Sequence, residues 1–334
     1  MNADIRTREM LRALPSGLKA EGANDLFQHV LLKPISDLMF RKGKNIRGQL
    51  VELGFSLSRP LEDYPESVFI CSEILEYLHA GSLVIDDIQD GSLLRRGEPT
   101  LHSKYGVPLA LNTGNWLYFW PMELIRELKV DPTQKLLIYE KYQKALLRAH
   151  MGQALDVGVR IDSLSRDQIH KVCLLSLELK TGALTSLALS LGAIIGGASD
   201  DQLSCIEKFG VDYGIALQMF DDTGNFIGRR DPSKRWEDLY LRRPSWVWAC
   251  LTVSRDEDLL SSFTHAVNRL PDILALESWI VAHPEFADSC LAQARERLQS
   301  AILNLNLYSS VAGNDPSVHS RIQSLQDLLV SSYA

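Results

Sequence analysis

Apolar residues recur at helical steps along most of this chain. In residues 67–89, Val68, Cys71, Ile74, Leu75, Leu78, Ser82 and Ile85 follow one another at three- and four-residue steps, the stripe of an amphipathic or buried helix. Residues 136–159, 166–195 and 202–226 have the same rhythm. Two-residue alternation is not sustained anywhere, and no Asn-Gly or Asp-Gly pair joins β-branched runs, so strands are not predicted. Breaks are predicted at Arg59-Pro60, Gly97-Glu98-Pro99, Gly106-Val107-Pro108, Asp131-Pro132, Gly196-Gly197, Asp231-Pro232 and Asn314-Asp315-Pro316. Pro121, inside 111–128, predicts a kink. The pattern predicts one all-α domain over residues 1–334, a bundle of roughly a dozen helices.

Two of these helices, 67–89 and 202–226, are apolar around most of their surface and are predicted to be buried. Each ends in acid: Asp86-Asp87-Ile88-Gln89-Asp90 and Asp221-Asp222-Thr223-Gly224-Asn225. Residues four apart are neighbours on a helix surface, so each cluster turns carboxylates to one side. Carboxylates at a helix C-terminus are disfavoured by the macrodipole, and buried charge needs a partner. A single acidic cluster is commonly a solvated face. Two that end apolar helices point instead to cations, and paired carboxylates suit Mg²⁺ bridging to phosphate oxygens. The expected geometry has the two clusters facing each other across a cavity.

Composition narrows the field. The chain has 334 residues, 46% hydrophobic and 23% charged, an ordinary globular balance. A net charge of -7 argues against a nucleic-acid partner. Five cysteines without Cys-x-x-Cys spacing support neither a zinc site nor a disulfide framework, and a cytoplasmic location is expected. Residues 1–14 carry no apolar signal run. The apolar run 184–198 is interrupted by serine, threonine and glycine, so it is predicted to be a core helix and no transmembrane segment is expected.

A diphosphate also needs fixed positive charge. Lys44 and Arg47 lie one turn apart; Arg95-Arg96 follow the first acidic cluster; Lys180-Thr181 lie mid-chain; Arg229-Arg230, Lys234-Arg235 and Arg242-Arg243 follow the second. Arginine forks match phosphate oxygens, and lysine acts as a point charge. His79 sits two turns before Asp86 on the same face. Taken singly, the basic residues read as solvated surface and the histidine as a satisfied core residue.

Together these segments resemble the trans-isoprenyl diphosphate synthases, the polyprenyl synthetases. Leu78-His79-Ala80-Gly81-Ser82-Leu83-Val84-Ile85-Asp86-Asp87-Ile88-Gln89-Asp90, with its tail Arg95-Arg96-Gly97-Glu98-Pro99, is similar to the family's first aspartate-rich motif and most like that of geranylgeranyl diphosphate synthases. Gly152-Gln153-Ala154-Leu155-Asp156, Lys180-Thr181-Gly182 and Gln218-Met219-Phe220-Asp221-Asp222 extend the resemblance over about 40–250.

The resemblance implies an isoprenoid synthase-like bundle around a central apolar cavity, and a homodimer. It implies that Asp86, Asp87, Asp90, Asp221, Asp222 and Asn225 hold Mg²⁺, three ions with Mn²⁺ able to substitute. Arg95, Lys180 and Gln218 would line an allylic diphosphate. Lys44, Arg47, His79 and Arg96 would hold isopentenyl diphosphate. Thr181 would stand near the reacting carbons, with Gln153 and Asp156 in support. Gly81 and Ser82 would leave a prenyl tunnel open, over a floor of Trp116, Phe119 and Trp120, for a product of about twenty carbons.

The chain departs from the family in two places. Asn225 stands where the second motif ends in aspartate, and the Asp-Leu-x-x-Gly-Lys-like stretch reads Asp238-Leu239-Tyr240-Leu241-Arg242-Arg243. Arg243 takes the place of the lysine. With Trp246 and Trp248 as aromatic faces for a cation, these departures motivate a competing reading, a class I terpene cyclase acting on a finished diphosphate. A non-catalytic subunit is the third reading, and the intact first cluster weighs against it.

Overall fold

A computed structural model of the chain describes residues 10, 23–39, 41, 46–59, 63–95, 97–228, 235–254, 256–307 and 316–333. The chain opens with α1 (Ala23–Phe27), a π-helical turn (Gln28–Leu32), α2 (Lys33–Met39), α3 (Ile46–Ser58) and α4 (Glu66–Asp90). A two-residue hairpin, β1 (Leu94–Arg95) and β2 (Glu98–Pro99), leads to α5 (Leu101–Tyr105), α6 (Val107–Glu127) and α7 (Pro132–Gly158). Then come α8 (Arg166–Leu177), a π-helical turn (Glu178–Gly182), α9 (Ala183–Gly196) and α10 (Asp200–Phe226). The chain closes with α11 (Glu237–Tyr240), α12 (Trp246–Val253), α13 (Glu257–Asn268), α14 (Leu274–Ala282), α15 (Pro284–Leu307) and α16 (Pro316–Tyr333). The fold is all-α, as the periodicity predicts. α6 begins at Val107 because Gly106, at φ 81°, takes the break, and it runs on through Pro121.

The chain divides into two compact units, Met1–Ile46 with Ser72–Leu128 and Arg47–Cys71 with Lys129–Ala334. In the first unit α4 and α6 touch through glycine. A Cβ on Gly81 would lie 2.9 Å from the carbonyl oxygen of Gly114 and 2.9 Å from Leu117 Cβ. α2 and α5 are tied by Asp37, whose carboxylate accepts from Lys104 at 2.5 Å and from the Tyr105 hydroxyl. The hairpin pairs Leu94 with Pro99 and Arg95 with Glu98, closing through Gly97 at φ 78°. Arg41 fastens it, donating to the Pro99 carbonyl at 2.6 Å and the Arg95 carbonyl at 3.4 Å.

In the second unit α9 is the axis. Its residues Ala183 to Ile194 are buried all round apart from half-buried Ser186. Backbones meet directly there: a Cβ on Gly192 would fall 1.9 Å from the Val51 carbonyl oxygen, and one on Gly54 2.0 Å from that of Leu189. Thr185 donates to the Gly210 carbonyl at 2.7 Å, so its hydroxyl is satisfied inside the core. Capping boxes at Ser165/Gln168 and Ser199/Gln202 start α8 and α10, and Gly197 at φ 82° ends α9. Two helical stretches, Glu66–Asp90 and Arg166–Gly196, have the length and apolarity to cross a membrane, with 50% and 61% of the apolar window buried inside the protein.

Candidate active site

The first acidic cluster closes α4. Asp87 is 3% exposed, and Arg95 folds back from β1 to meet it, donating from Nε to Oδ1 at 2.7 Å. The same guanidinium reaches Asp86 Oδ2 at 3.4 Å. Burial alone would loosen the Arg95 proton; the hydrogen bond to Asp87 and the charges of Asp87, Asp86 and Asp90 outweigh it and hold the proton more tightly than usual. The site thus carries its own cation among the carboxylates. Beside it, His79, Arg41 and Arg95 line a recess walled by Leu38, Ala80 and Leu83. Lys44 and Arg96 lie outside the described residues, and so do Arg229, Arg230 and Lys234. Arg47 is half-buried on α3 in the other unit.

The second cluster closes α10, and a hydrogen-bonded chain leads into it. Thr181, on the π-helical turn, donates to Gln218 Oε1 at 2.8 Å, and Gln218 Nε2 donates to Asp222 Oδ1 at 2.8 Å. The other oxygen of Asp222 accepts from the Trp246 backbone N–H at 2.6 Å. The π turn widens the helix by one residue; Lys180 and Thr181 both lie on it, the one reaching Asp156 and the other Gln218. Burial raises the Asp222 proton affinity well above the ordinary carboxylate range, and the charge of Asp238 adds to it. On α7, Asp156 holds two cations: Lys180 Nζ at 2.7 Å and an Arg243 guanidinium nitrogen at 3.5 Å. Gln153 lies on the same helix three residues earlier, half-buried.

A sequence profile of the polyprenyl synthetases matches residues 28–268. The chain belongs to the polyprenyl synthetase family. A geranylgeranyl pyrophosphate synthase of Apiospora sacchari is 33% identical over 201 residues, 60% of this chain and 56% of the relative. A geranylgeranyl diphosphate synthase of Sulfolobus acidocaldarius is 34% identical over 161 residues, 47% of each chain. This polyprenyl synthetase therefore spans about half the length of the curated relatives it matches. Among solved structures, the geranylgeranyl pyrophosphate synthase of Corynebacterium glutamicum, complexed with isoprenyl diphosphate and magnesium, superposes with a TM-score of 0.76 at 19% identity, covering 99% of this chain and 97% of that one. The geranylgeranyl pyrophosphate synthetase of Pyrococcus horikoshii gives 0.75 at 21% identity, covering 98% and 95%. At such identities the likeness carries the fold.

Among the described residues of this polyprenyl synthetase no three His, Cys, Asp or Glu side chains converge as a ready metal site, but one oxygen ligand suited to a hard divalent ion stands ready. Asn225 Oδ1 is buried without a hydrogen-bond partner among the described residues, one turn beyond Asp221. Such an oxygen is costly unless something binds it.

Three expectations need correction. Gly81 does not open a tunnel, because the backbone carbonyl of Gly114 and Leu117 occupy the place of its missing side chain. Phe119 is 65% exposed and forms no floor, whereas Trp116 and Trp120 stack with ring centroids 6.4 Å apart. Trp246 and Trp248 are buried in packing: the Trp246 indole donates to the Cys290 carbonyl, and Trp248 stands edge-on to Phe263 at 5.0 Å. Ser82 is half-buried, its hydroxyl turned back to the His79 carbonyl at 2.8 Å. Sequence reasoning missed Arg41, which has no motif. It also missed Asp238 as the neighbour of Asp222, for which the Asp-Leu stretch was a signal.

Proposed function

We propose that this polyprenyl synthetase condenses isopentenyl diphosphate with an allylic diphosphate to a linear (E)-prenyl diphosphate of geranylgeranyl length, acting as one catalytic domain over residues 1–334. The observation that carries the reading is the pairing of buried carboxylates with fixed cations within each unit. Arg95 stands 2.7 Å from Asp87, and Lys180 and Arg243 flank Asp156 at 2.7 and 3.5 Å. Buried carboxylates held against fixed cations, as within each unit, suit a metal-bound diphosphate. Names of relatives supply the substrate class: they are geranylgeranyl diphosphate synthases.

Asp86, Asp87, Asp90, Asp221 and Asn225 would hold Mg²⁺, three ions with Mn²⁺ serving in their place. Asp222, with both oxygens hydrogen-bonded inside the protein, is better suited to orienting Gln218. When bound, the metal supplies Lewis-acid neutralisation of the leaving diphosphate. Lys180, Arg95 and Arg243 balance the charge that develops as the allylic C–O bond breaks. Lys44, Arg47, His79 and Arg96 hold isopentenyl diphosphate so that its double bond meets the allylic carbon. The Thr181 hydroxyl, fixed by Gln218, lies beside the reacting carbons. Apolar walls exclude water, which would quench the allylic cation. The departing diphosphate removes the proton, so no protein base is required. The cyclase reading loses the aromatic faces it invoked, because Trp246 and Trp248 are packing residues.

Each unit also leaves an apolar stripe exposed. On α6 it is Val107, Leu111, Phe119 and Met122; on α7 it is Leu136, Leu147, Met151 and Val157. A second copy of this chain covers them in the proposed assembly, a homodimer. The buried free cysteines suit the reducing cytoplasm, which is the proposed location.

Product analysis with Mg²⁺ tests the reading. One sample holds isopentenyl diphosphate with a C5, C10 or C15 allylic diphosphate, and the other holds C15 or C20 diphosphate alone. Linear alcohols after phosphatase treatment are expected from the first sample only. Cyclic hydrocarbons or alcohols from the second, without phosphatase, would overturn it. In the same assay Trp120→Ala is expected to lengthen the product; an unchanged chain length removes Trp120 from the tunnel floor.

A further inference from the structure

Arg242 occupies a backbone position that favours another residue. Its φ is 60°, in the left-handed region. It ends α11 in a Schellman motif: Arg243 N–H donates to the Asp238 carbonyl at 2.8 Å and Arg242 N–H to that of Leu239 at 3.2 Å. This place normally takes glycine, which has no Cβ to strain.

The side chain of Arg242 explains how an arginine is held. One guanidinium nitrogen donates to the Leu239 carbonyl at 3.1 Å; the other donates to the Val267 carbonyl at 3.1 Å and to Asn268 Oδ1 at 2.9 Å. It therefore caps the C-terminal end of α13, where cations are favoured. The Arg242 carbonyl accepts from Ile161 N–H at 2.9 Å, fastening the turn from a third side. The next residue is Arg243, 7% exposed and 3.5 Å from Asp156, the carboxylate that also holds Lys180.

We propose that Arg242 is a positioning residue. By docking its guanidinium on the end of α13 it locks the turn that presents Arg243 to the diphosphate, a lock that glycine at this place lacks. The proposal rests on Arg243 being a diphosphate ligand, as proposed above.

Calorimetric titration of the full chain with inorganic pyrophosphate and Mg²⁺ tests it, using Arg242→Gly, Arg243→Ala and the double variant. Arg243→Ala is expected to weaken pyrophosphate binding about tenfold. Arg242→Gly is expected to weaken it about fivefold, and the double variant to bind no more weakly than Arg243→Ala, since both act through one guanidinium. Arg242→Lys, which keeps one donor for the α13 end, is expected to recover part of the loss. Glycine relieves the backbone, so thermal melting separates the two roles: a purely structural Arg242 lowers the melting temperature and leaves binding intact. Wild-type binding by Arg242→Gly beside a weakened Arg243→Ala overturns the proposal alone. Full additivity in the double variant overturns it too. Wild-type binding by Arg243→Ala overturns the ligand role of Arg243, and this proposal with it.

Discussion

Gly192 shows how tightly a single position is determined in this protein. Its missing Cβ would stand 1.9 Å from the carbonyl oxygen of Val51 and 2.7 Å from the amide nitrogen of Phe55. Neither is the movable end of a side chain, so an added methyl must push two helices apart. Gly192→Ala is expected to cost about 2–3 kcal/mol or more, read as a lowered midpoint in thermal or urea unfolding; a midpoint within experimental error of wild type would show that α3 and α9 yield. The glycine is visible in the sequence, but only as a small residue in an apolar run. Whether it marks a bend, a cap or a backbone contact depends on Val51, far away in the chain. Asp87 is similar. Its place in the first motif is legible, whereas its burial under Arg95 is set by the turn of the hairpin.

The elements that matter most for chemistry are the π-helical turn and α10. They are joined by Thr181, Gln218 and Asp222 in one hydrogen-bonded line. Each link is at ordinary hydrogen-bond length, and Asp222 is buried, so removing the middle member leaves a buried acceptor unsatisfied. Gln218→Ala is expected to lower kcat about a hundredfold and to lower the melting temperature by a few degrees. Steady-state assays with Mg²⁺ at saturating isopentenyl diphosphate would check it; an unchanged kcat would show that the line is structural only. The spacing predicts one helix over 166–195, and the structure divides it at Glu178–Gly182. The π turn is hidden in the sequence because Leu177, Leu179, Gly182 and Ala183 are all buried across it, so the apolar run continues without a break that a periodicity window would mark.

For the whole molecule, the exposed stripes on α6 and α7 are large apolar side chains at helical spacing, more than scattered surface residues would explain. If a second copy covers them, charge within either stripe must weaken association. Phe119→Glu combined with Leu147→Glu is expected to convert a dimer to a monomer at micromolar concentration, measured by analytical ultracentrifugation. A wild-type chain that sediments as a monomer would remove the homodimer.

The chain by itself determined what local interactions encode. Helical periodicity follows from neighbours three and four residues apart, and it yielded the all-α class, the approximate spans of the long helices before residue 226 and the two acidic helix ends. The motif order, from Asp86 through Lys180 to Asp221, likewise needs only linear spacing. Tertiary structure alone decided the rest. Packing gave Gly81 a helix contact in place of an open tunnel, buried Trp246 and Trp248, and engaged both oxygens of Asp222. It also seated Arg242 on the end of α13, a partner 25 residues further along the chain. Each of these depends on atoms brought together from distant stretches, where close packing leaves room for one arrangement and the linear pattern allows several.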